Sequence, residues 1–289
     1  MKLCRFGPRG QEQPGLVDAT GAVRSLAGRI DDFTAANLTA NGLAALRAID
    51  VNSLPQVTGS VRYGLPFTGT RQFIAIGLNF ADHAAESKMP IPKEPIVFTK
   101  AVSCLQGPDD PVMIPRDSRK SDWEVELGVV IGKRASYVDE SAALNYVAGY
   151  CVVNDVSERE YQLERGGTWD KGKGCETFGP VGPWLVTSDE VPDPQQLDMW
   201  LDVNGKRMQS GNTRTMIFGV AKLVSYLSEF MVLGPGDIIT TGTPPGVGMG
   251  QSPPKFLKPG DTIRLGIEKL GSQQQQVIEW RASPLGSAP

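Results

Sequence analysis

Histidine is almost missing from this chain: His83 is the only one in 289 residues. A zinc centre built from several imidazoles is therefore excluded, and any imidazole chemistry has one possible source. Cys-x-x-Cys pairs are also missing. Cys4, Cys104, Cys151 and Cys175 lie far apart, so neither a zinc ribbon nor a disulfide framework is suggested, and reduced thiols in a cytoplasm are expected. No long apolar run occurs. The longest, Met216 to Leu233, is broken by Lys222, Ser225, Ser228 and Glu229, which argues against a membrane span. No signal-peptide pattern opens the chain, because Lys2-Leu3-Cys4-Arg5-Phe6 is too short an apolar stretch. An excess of positive charge is lacking too. A net charge of −3 gives no basis for counterion release from a nucleic acid backbone. The expectation is a soluble, cytoplasmic protein that binds neither nucleic acid nor membrane.

The chain is rich in turn formers, with 33 Gly and 22 Pro, which favours a β-rich architecture over a helical bundle. Its length suits one large domain and one small one. Residues 1–68 read as the small unit, with a strand, turn and strand over Leu16 to Val23 and helix-like apolar spacing from Asp31 to Ile49. Tyr63-Gly64-Leu65-Pro66 reads as the link to residues 69–282, and residues 283–289 as a frayed tail. Trp200 to Arg207 carries the Asn-Gly hairpin signal at Asn204-Gly205. Ile217, Val220, Ala221, Val224, Leu227 and Met231 fall on one helical stripe, as core residues do. Ser272 to Gln276 reads as a glutamine-rich loop.

The chemistry is expected around Asp122-Trp123-Glu124-Val125-Glu126-Leu127. In a strand, residues i and i+2 share a face, so Glu124 and Glu126 project together at a spacing of about 7 Å. A third carboxylate, Asp155, ends the apolar run Val147 to Val153, which reads as a second buried strand. Three acidic oxygens with no neighbouring His or Cys suit a hard cation, Mg²⁺ or Mn²⁺. Glu-x-Glu also occurs on the solvent face of edge strands, where it binds nothing. Val125, Leu127, Val129 and Ile131 argue instead for a strand covered by protein, where like charges need a compensating partner.

Other residues have two readings each. His83 and Glu86, at i and i+3 of a helical turn, would form a pair able to take a proton from water, or are a surface histidine with an incidental neighbour. Arg159 and Gln162, on a helix leaving Asp155, would offer donors to a substrate carboxylate, or simply form a solvated face. The Gly- and Pro-rich stretch Trp169 to Trp184 reads as a functional loop in which Lys173 would offset the carboxylates and bind an enolate oxygen. Thr240 to Gly250 lacks the Gly-Lys-Ser/Thr ending of a phosphate loop, but its backbone N–H groups and Thr243 would suit a carboxylate.

Taken in order, Gly77-Leu78-Asn79-Phe80-Ala81-Asp82-His83, Glu124-x-Glu126, Asp155-x-Ser157-x-Arg159-x-x-Gln162, Lys173-x-x-Glu176-x-Phe178-Gly179-Pro180 and Thr241-Gly242-Thr243-Pro244-x-Gly246-Val247-Gly248 resemble the fumarylacetoacetate hydrolase family over roughly residues 70 to 270. The resemblance implies an α+β, β-rich fold, a mixed β-sandwich roll with a small N-terminal α/β domain, assembled as a homodimer or higher homo-oligomer. It implies Mg²⁺ or Mn²⁺ on Glu124, Glu126 and Asp155, catalytic His83, Glu86 and Lys173, and substrate contacts from Arg159, Gln162 and Thr243. Glu176 departs from the pattern, since Asp is commoner there. Met1 to Gly7 and Thr168 to Gly174 look most like the sugar-acid branch, the 2,4-diketo-3-deoxy-L-rhamnonate or L-fuconate hydrolases. The expected reaction is hydrolysis of a carbon–carbon bond in such a 2,4-diketo acid, giving pyruvate and L-lactate. Alternatives on the same residues are a decarboxylase, tautomerase, isomerase or lyase of oxaloacetate-like, ureidoglycolate-like or hydroxy-dienoate acids. More distant is a non-catalytic metal-binding protein.

Overall fold

The structure is a computed structural model of the whole chain, in which residues 1–86 and 90–282 are described, except for the side chains of residues 83–85. Two sheets dominate the described residues. The larger, ten-stranded sheet runs in the order Val23–Ser25, Gln13–Val17, Lys2–Phe6, Gly179–Thr187, Val147–Asn154, Val125–Ile131, Ile238–Thr240, Phe73–Gly77, Ile96–Lys100, with Leu105–Gln106 added beside Gly179–Thr187. The second has five strands, Lys206–Asn212, Asp198–Val203, Thr262–Ile267, Gly271–Ile278 and Val112–Met113. Pairing is antiparallel except where Ile238–Thr240 meets Phe73–Gly77, Gly271–Ile278 meets Val112–Met113, and Gly179–Thr187 meets Leu105–Gln106. The fold is thus α+β and strand-rich, as the turn-former content and the family resemblance imply.

Val125–Ile131 and Val147–Asn154 lie at the centre of the larger sheet, and every residue in both is buried. Their near-continuous apolar runs suit strands covered on both faces. The register pairs Glu126 with Val153 and Val125 with Asn154, so the two carboxylate-bearing strand ends arrive side by side. The N-terminal strand Lys2–Phe6 joins the same sheet by pairing with Gly179–Thr187. Leu3, Leu16, Phe33, Leu43 and Leu46 bury in one cluster with Phe73, Leu127 and Leu185.

Several local expectations are corrected. Of the spacing from Asp31 to Ile49, only Ala40–Arg47 is α-helical, and it starts where the Thr39 side chain accepts the Gly42 N–H at 3.2 Å. The later helix is Val220–Phe230. Ile217 precedes it, and Met231 follows in extended backbone. Trp169 to Trp184 is not all loop, because Asp170–Lys173 is a helical turn and Gly179 opens a nine-residue strand. The largest correction falls on Ser272 to Gln276, which lies inside the strand Gly271–Ile278 with Gln273 and Gln275 buried. Glutamine's polarity hid that strand, and its alternation of buried and exposed positions appears only in the sheet. The Asn204-Gly205 hairpin is present as expected. No helix of the described residues is long and apolar enough to cross a membrane.

Candidate metal centre and active-site cavity

Glu124, Glu126 and Asp155 converge. Each offers a carboxylate oxygen within 4.8 Å of the others, and all three side chains are buried. Sheet register produces this, since Glu126 lies in the strand Val125–Ile131, Glu124 immediately precedes it, and Asp155 follows Asn154, the partner of Val125. The Asp155 N–H also donates to the Glu124 carbonyl at 2.9 Å.

Three buried cations answer this negative charge. Lys173 Nζ donates to Glu124 Oε2 at 2.7 Å and to Asp155 Oδ2 at 2.6 Å. Arg159 donates from Nη2 to Glu124 Oε1 at 2.6 Å, from Nε to Asp122 Oδ2 at 2.9 Å and from Nη1 to Gln162 Oε1 at 3.0 Å. Lys100 Nζ lies 2.7 Å from Asp155 Oδ1 and donates to the carbonyls of Lys173 at 2.5 Å and Val156 at 3.3 Å. That contact is an ion pair without hydrogen-bond geometry, so Asp155 Oδ1 is buried with no hydrogen-bond donor. Glu126 takes neutral donors instead, the Thr240 hydroxyl at 2.5 Å and the Gly242 N–H at 2.8 Å. Gly242 adopts φ +90, a backbone region that glycine enters without strain.

The unlike partners separate the two glutamates electrostatically. Burial raises the Glu124 carboxyl, but the Lys173 ammonium and Arg159 guanidinium outweigh it and hold it well below the usual carboxylate range. Burial and the negative charges of Asp155 and Glu124 push Glu126 well above that range, against Lys173. For Lys173, burial acts downward and is overcome by Asp155 and Glu124, so its ammonium is held above the ordinary value. The two carboxylates that favour the Lys173 ammonium are the same ones it bonds, Glu124 and Asp155.

Do these residues fit a divalent ion? The donor set is three carboxylates with no nitrogen or sulfur ligand among them. Oxygen donors of this kind match Mg²⁺ or Mn²⁺. They also line a cavity of about 420 Å³ whose other walls include Leu78, Phe98, Leu163, Trp169, Val247 and Met249. A larger groove of about 700 Å³, floored by Trp123 and Phe256, lacks these carboxylates, so size alone does not locate the chemistry. Trp169 packs edge-on to Phe98, their ring centroids 5.3 Å apart, over Gly77, where a Cβ would come within 2.3 Å of the indole.

The remaining expected residues are placed as follows. Arg159, Gln162 and Thr243 line the cavity. The Arg159 donors already serve protein acceptors, and the Thr243 hydroxyl is engaged on both sides, donating to the Val125 carbonyl at 2.9 Å and accepting from Gln209 Nε2 at 2.7 Å. Glu86 ends the helical turn Ala81–Glu86 and accepts the Gly246 N–H at 3.1 Å. His83 is on that turn, and its side chain lies outside the described residues. Glu176 is exposed. Sequence reasoning missed Lys100, Asp122, Gln209 and Thr240. Asp122 had a signal, being next to Trp123-Glu124, and it accepts the N–H groups of Gly248 at 2.7 Å and Met249 at 2.9 Å.

The family model described as fumarylacetoacetate (FAA) hydrolase C-terminal matches residues 72–278. A Burkholderia cenocepacia (strain HI2424) protein, named only as a presumed hydrolase, is 63% identical over 277 residues, covering 96% of this chain and 98% of its own. Among solved structures, a Mycobacterium abscessus protein assigned as a 2-hydroxyhepta-2,4-diene-1,7-dioate isomerase is 35% identical with a TM-score of 0.80, over 98% of this chain and 100% of that one. The maleylpyruvate hydrolase from Sphingobium sp. SYK-6, solved in complex with manganese (II) ion and pyruvate, is 28% identical with a TM-score of 0.81, over 97% of this chain and 100% of that one. On its sequence and on the register that gathers its three carboxylates, the chain belongs to the fumarylacetoacetate hydrolase family.

Proposed function

We infer that this protein is a metal-dependent hydrolase that cleaves a carbon–carbon bond in a 2,4-diketo acid, 2,4-diketo-3-deoxy-L-rhamnonate or its L-fuconate counterpart, to pyruvate and L-lactate. The observation that carries the reading is the convergence of Glu124, Glu126 and Asp155 beside Lys173 on one cavity. Glu124, Glu126 and Asp155 would hold Mg²⁺ or Mn²⁺, which would supply Lewis-acid chemistry when bound. The chain's own residues do the rest. Lys173, which lines the same cavity, would receive the negative charge that develops on the leaving pyruvate enolate, and a preorganised charge shielded from water is worth far more than one in water. Glu86 with His83 would take the proton of the water that attacks the C4 carbonyl; as the C3–C4 bond breaks, that proton would pass to C3 of the enolate and give pyruvate. The apolar wall of Leu78, Phe98, Trp169 and Val247 suits the methyl end of a deoxy acid. We further propose that the cytoplasmic protein works as a homodimer or higher homo-oligomer, with residues 1–68 as a small N-terminal domain.

The test is incubation with Mg²⁺ or Mn²⁺ and a panel of 2,4-diketo sugar acids, acylpyruvates, oxaloacetate and hydroxy-dienoates, following pyruvate. Two organic acids, one of them pyruvate, are expected, with activity lost to a chelator and in Glu124→Gln. Carbon dioxide or an isomer as the sole product would replace hydrolysis with decarboxylation or tautomerisation on the same residues. Full activity in the presence of chelator would remove the metal from the mechanism.

A further inference from the structure

We propose that Asn154 of the larger sheet, with Gln275, Gln273 and Gln209 of the second sheet, are positioning residues that hold the backbone of the metal-ligand segment. Paired strand begins only at Val125. Two successive backbone donors, the N–H groups of Glu124 and Val125, are taken by side-chain amides instead of strand carbonyls. Glu124 N–H donates to Asn154 Oδ1 at 3.3 Å, and Val125 N–H to Gln209 Oε1 at 3.0 Å.

From Asn154 the bonding continues inward. Asn154 Nδ2 donates to Gln275 Oε1 at 3.0 Å, Gln275 Nε2 to Gln273 Oε1 at 3.0 Å and also to the Pro108 carbonyl, and Gln273 Nε2 to the carbonyls of Val152 at 2.8 Å and Gly182 at 3.0 Å. All these amides are buried. The orientation of every amide in the chain is forced. One end is a backbone N–H, which only donates, and the other ends are carbonyls, which only accept, so no side chain can flip without placing two donors or two acceptors together. Aligned bonds of this kind polarise one another, and a half-satisfied buried set is costly. Gln209 forms the second arm: its Nε2 donates to Thr243 Oγ1 at 2.7 Å and the Pro244 carbonyl at 2.8 Å, tying the ligand segment to the loop that lines the cavity. The amides thereby set where the Glu124 carboxylate starts and, through Asn154, where Asp155 follows. Partners one step behind metal ligands commonly matter this way.

The inference rests on the metal-site reading, so its test has a readout that needs no metal. Residue-resolved amide hydrogen exchange on full-length Gln275→Leu is expected to show protection at Glu124 reduced about tenfold, the equivalent of one hydrogen bond, with Val125 spared. Gln209→Met is expected to do the converse, and it carries the test alone should Gln275→Leu not fold. By titration calorimetry, Mn²⁺ is expected to bind either folded variant about 10–100-fold more weakly than the parent. Unchanged protection at both amides, or an equal loss along all of Val125–Ile131, would overturn the proposal, since the amides would then contribute only general stability. Should the parent chain fail to bind Mn²⁺, the metal reading falls, and the exchange pattern still decides the amide assignment.

Discussion

At the scale of single residues, Lys100 shows how strongly the centre depends on charge balance. Its ammonium is buried beside Asp155 Oδ1 and holds the carbonyl of Lys173, so one side chain fixes both a carboxylate of the trio and the cation next to it. Removing one partner of a buried pair leaves the other uncompensated. Lys100→Met is accordingly expected to lower unfolding stability by about 3 kcal/mol in urea; a change under about 0.5 kcal/mol would mean Lys173 alone compensates Asp155. A second residue-scale expectation concerns acid. The Thr20 hydroxyl and the Arg24 guanidinium, at 2.6 and 2.7 Å, hold the Asp18 carboxyl below the ordinary carboxylate range. A depressed carboxyl stabilises the fold above its unfolded pKa, and that contribution is lost as pH falls through the folded value. Below about pH 4 the parent should lose urea resistance more steeply than Asp18→Asn. Parallel pH curves would show that these contacts do not distinguish the folded from the unfolded state.

At the scale of elements, two junctions control shape. The helix Ala40–Arg47 has the Thr39 cap at its start, and Thr39→Ala should cost about 1 kcal/mol, read as a lower urea midpoint with activity intact. The strand end at Gly77 is a different kind of junction. Any side chain there meets the Trp169 indole, so Gly77→Ala must push Trp169 from its place against Phe98. Overpacking of this kind costs about 1–3 kcal/mol, and because Trp169 is a cavity wall, KM should rise more than kcat falls. An unaltered KM would show that Trp169 does not border the bound substrate.

At the scale of the whole molecule, the N-terminal segment shares both a sheet and a hydrophobic cluster with the rest. Lys2–Phe6 pairs with Gly179–Thr187, and Leu3, Phe33 and Leu46 are buried among residues of the larger unit. Unfolding followed by near-UV and far-UV dichroism is therefore expected to give one coincident transition, and a chain starting at residue 69 should be poorly soluble. Two separated transitions would indicate that residues 1–68 fold on their own.

Much of the site was written locally. The alternation around Glu124 and Glu126 and the apolar run that leads to Asp155 are both visible in the sequence, so period and polarity point to the three carboxylates that converge in the structure. The same local logic places Lys173 beside the carboxylates, as it lies, and the hairpin at Asn204-Gly205. It failed where a residue's role depends on a distant partner. Gln273 and Gln275 look like loop residues until a second sheet supplies buried acceptors, and Lys100 has no local signal because Asp155 is remote in sequence. Arg159 looked like a free donor, yet folding commits its nitrogens to Asp122, Glu124 and Gln162. The sequence by itself determined which groups carry charge and which strands are buried, since these follow from side-chain chemistry and short-range periodicity. Tertiary structure alone decided which charges meet and which amides are satisfied, because strand register and the packing of the two sheets bring together residues that no local pattern relates.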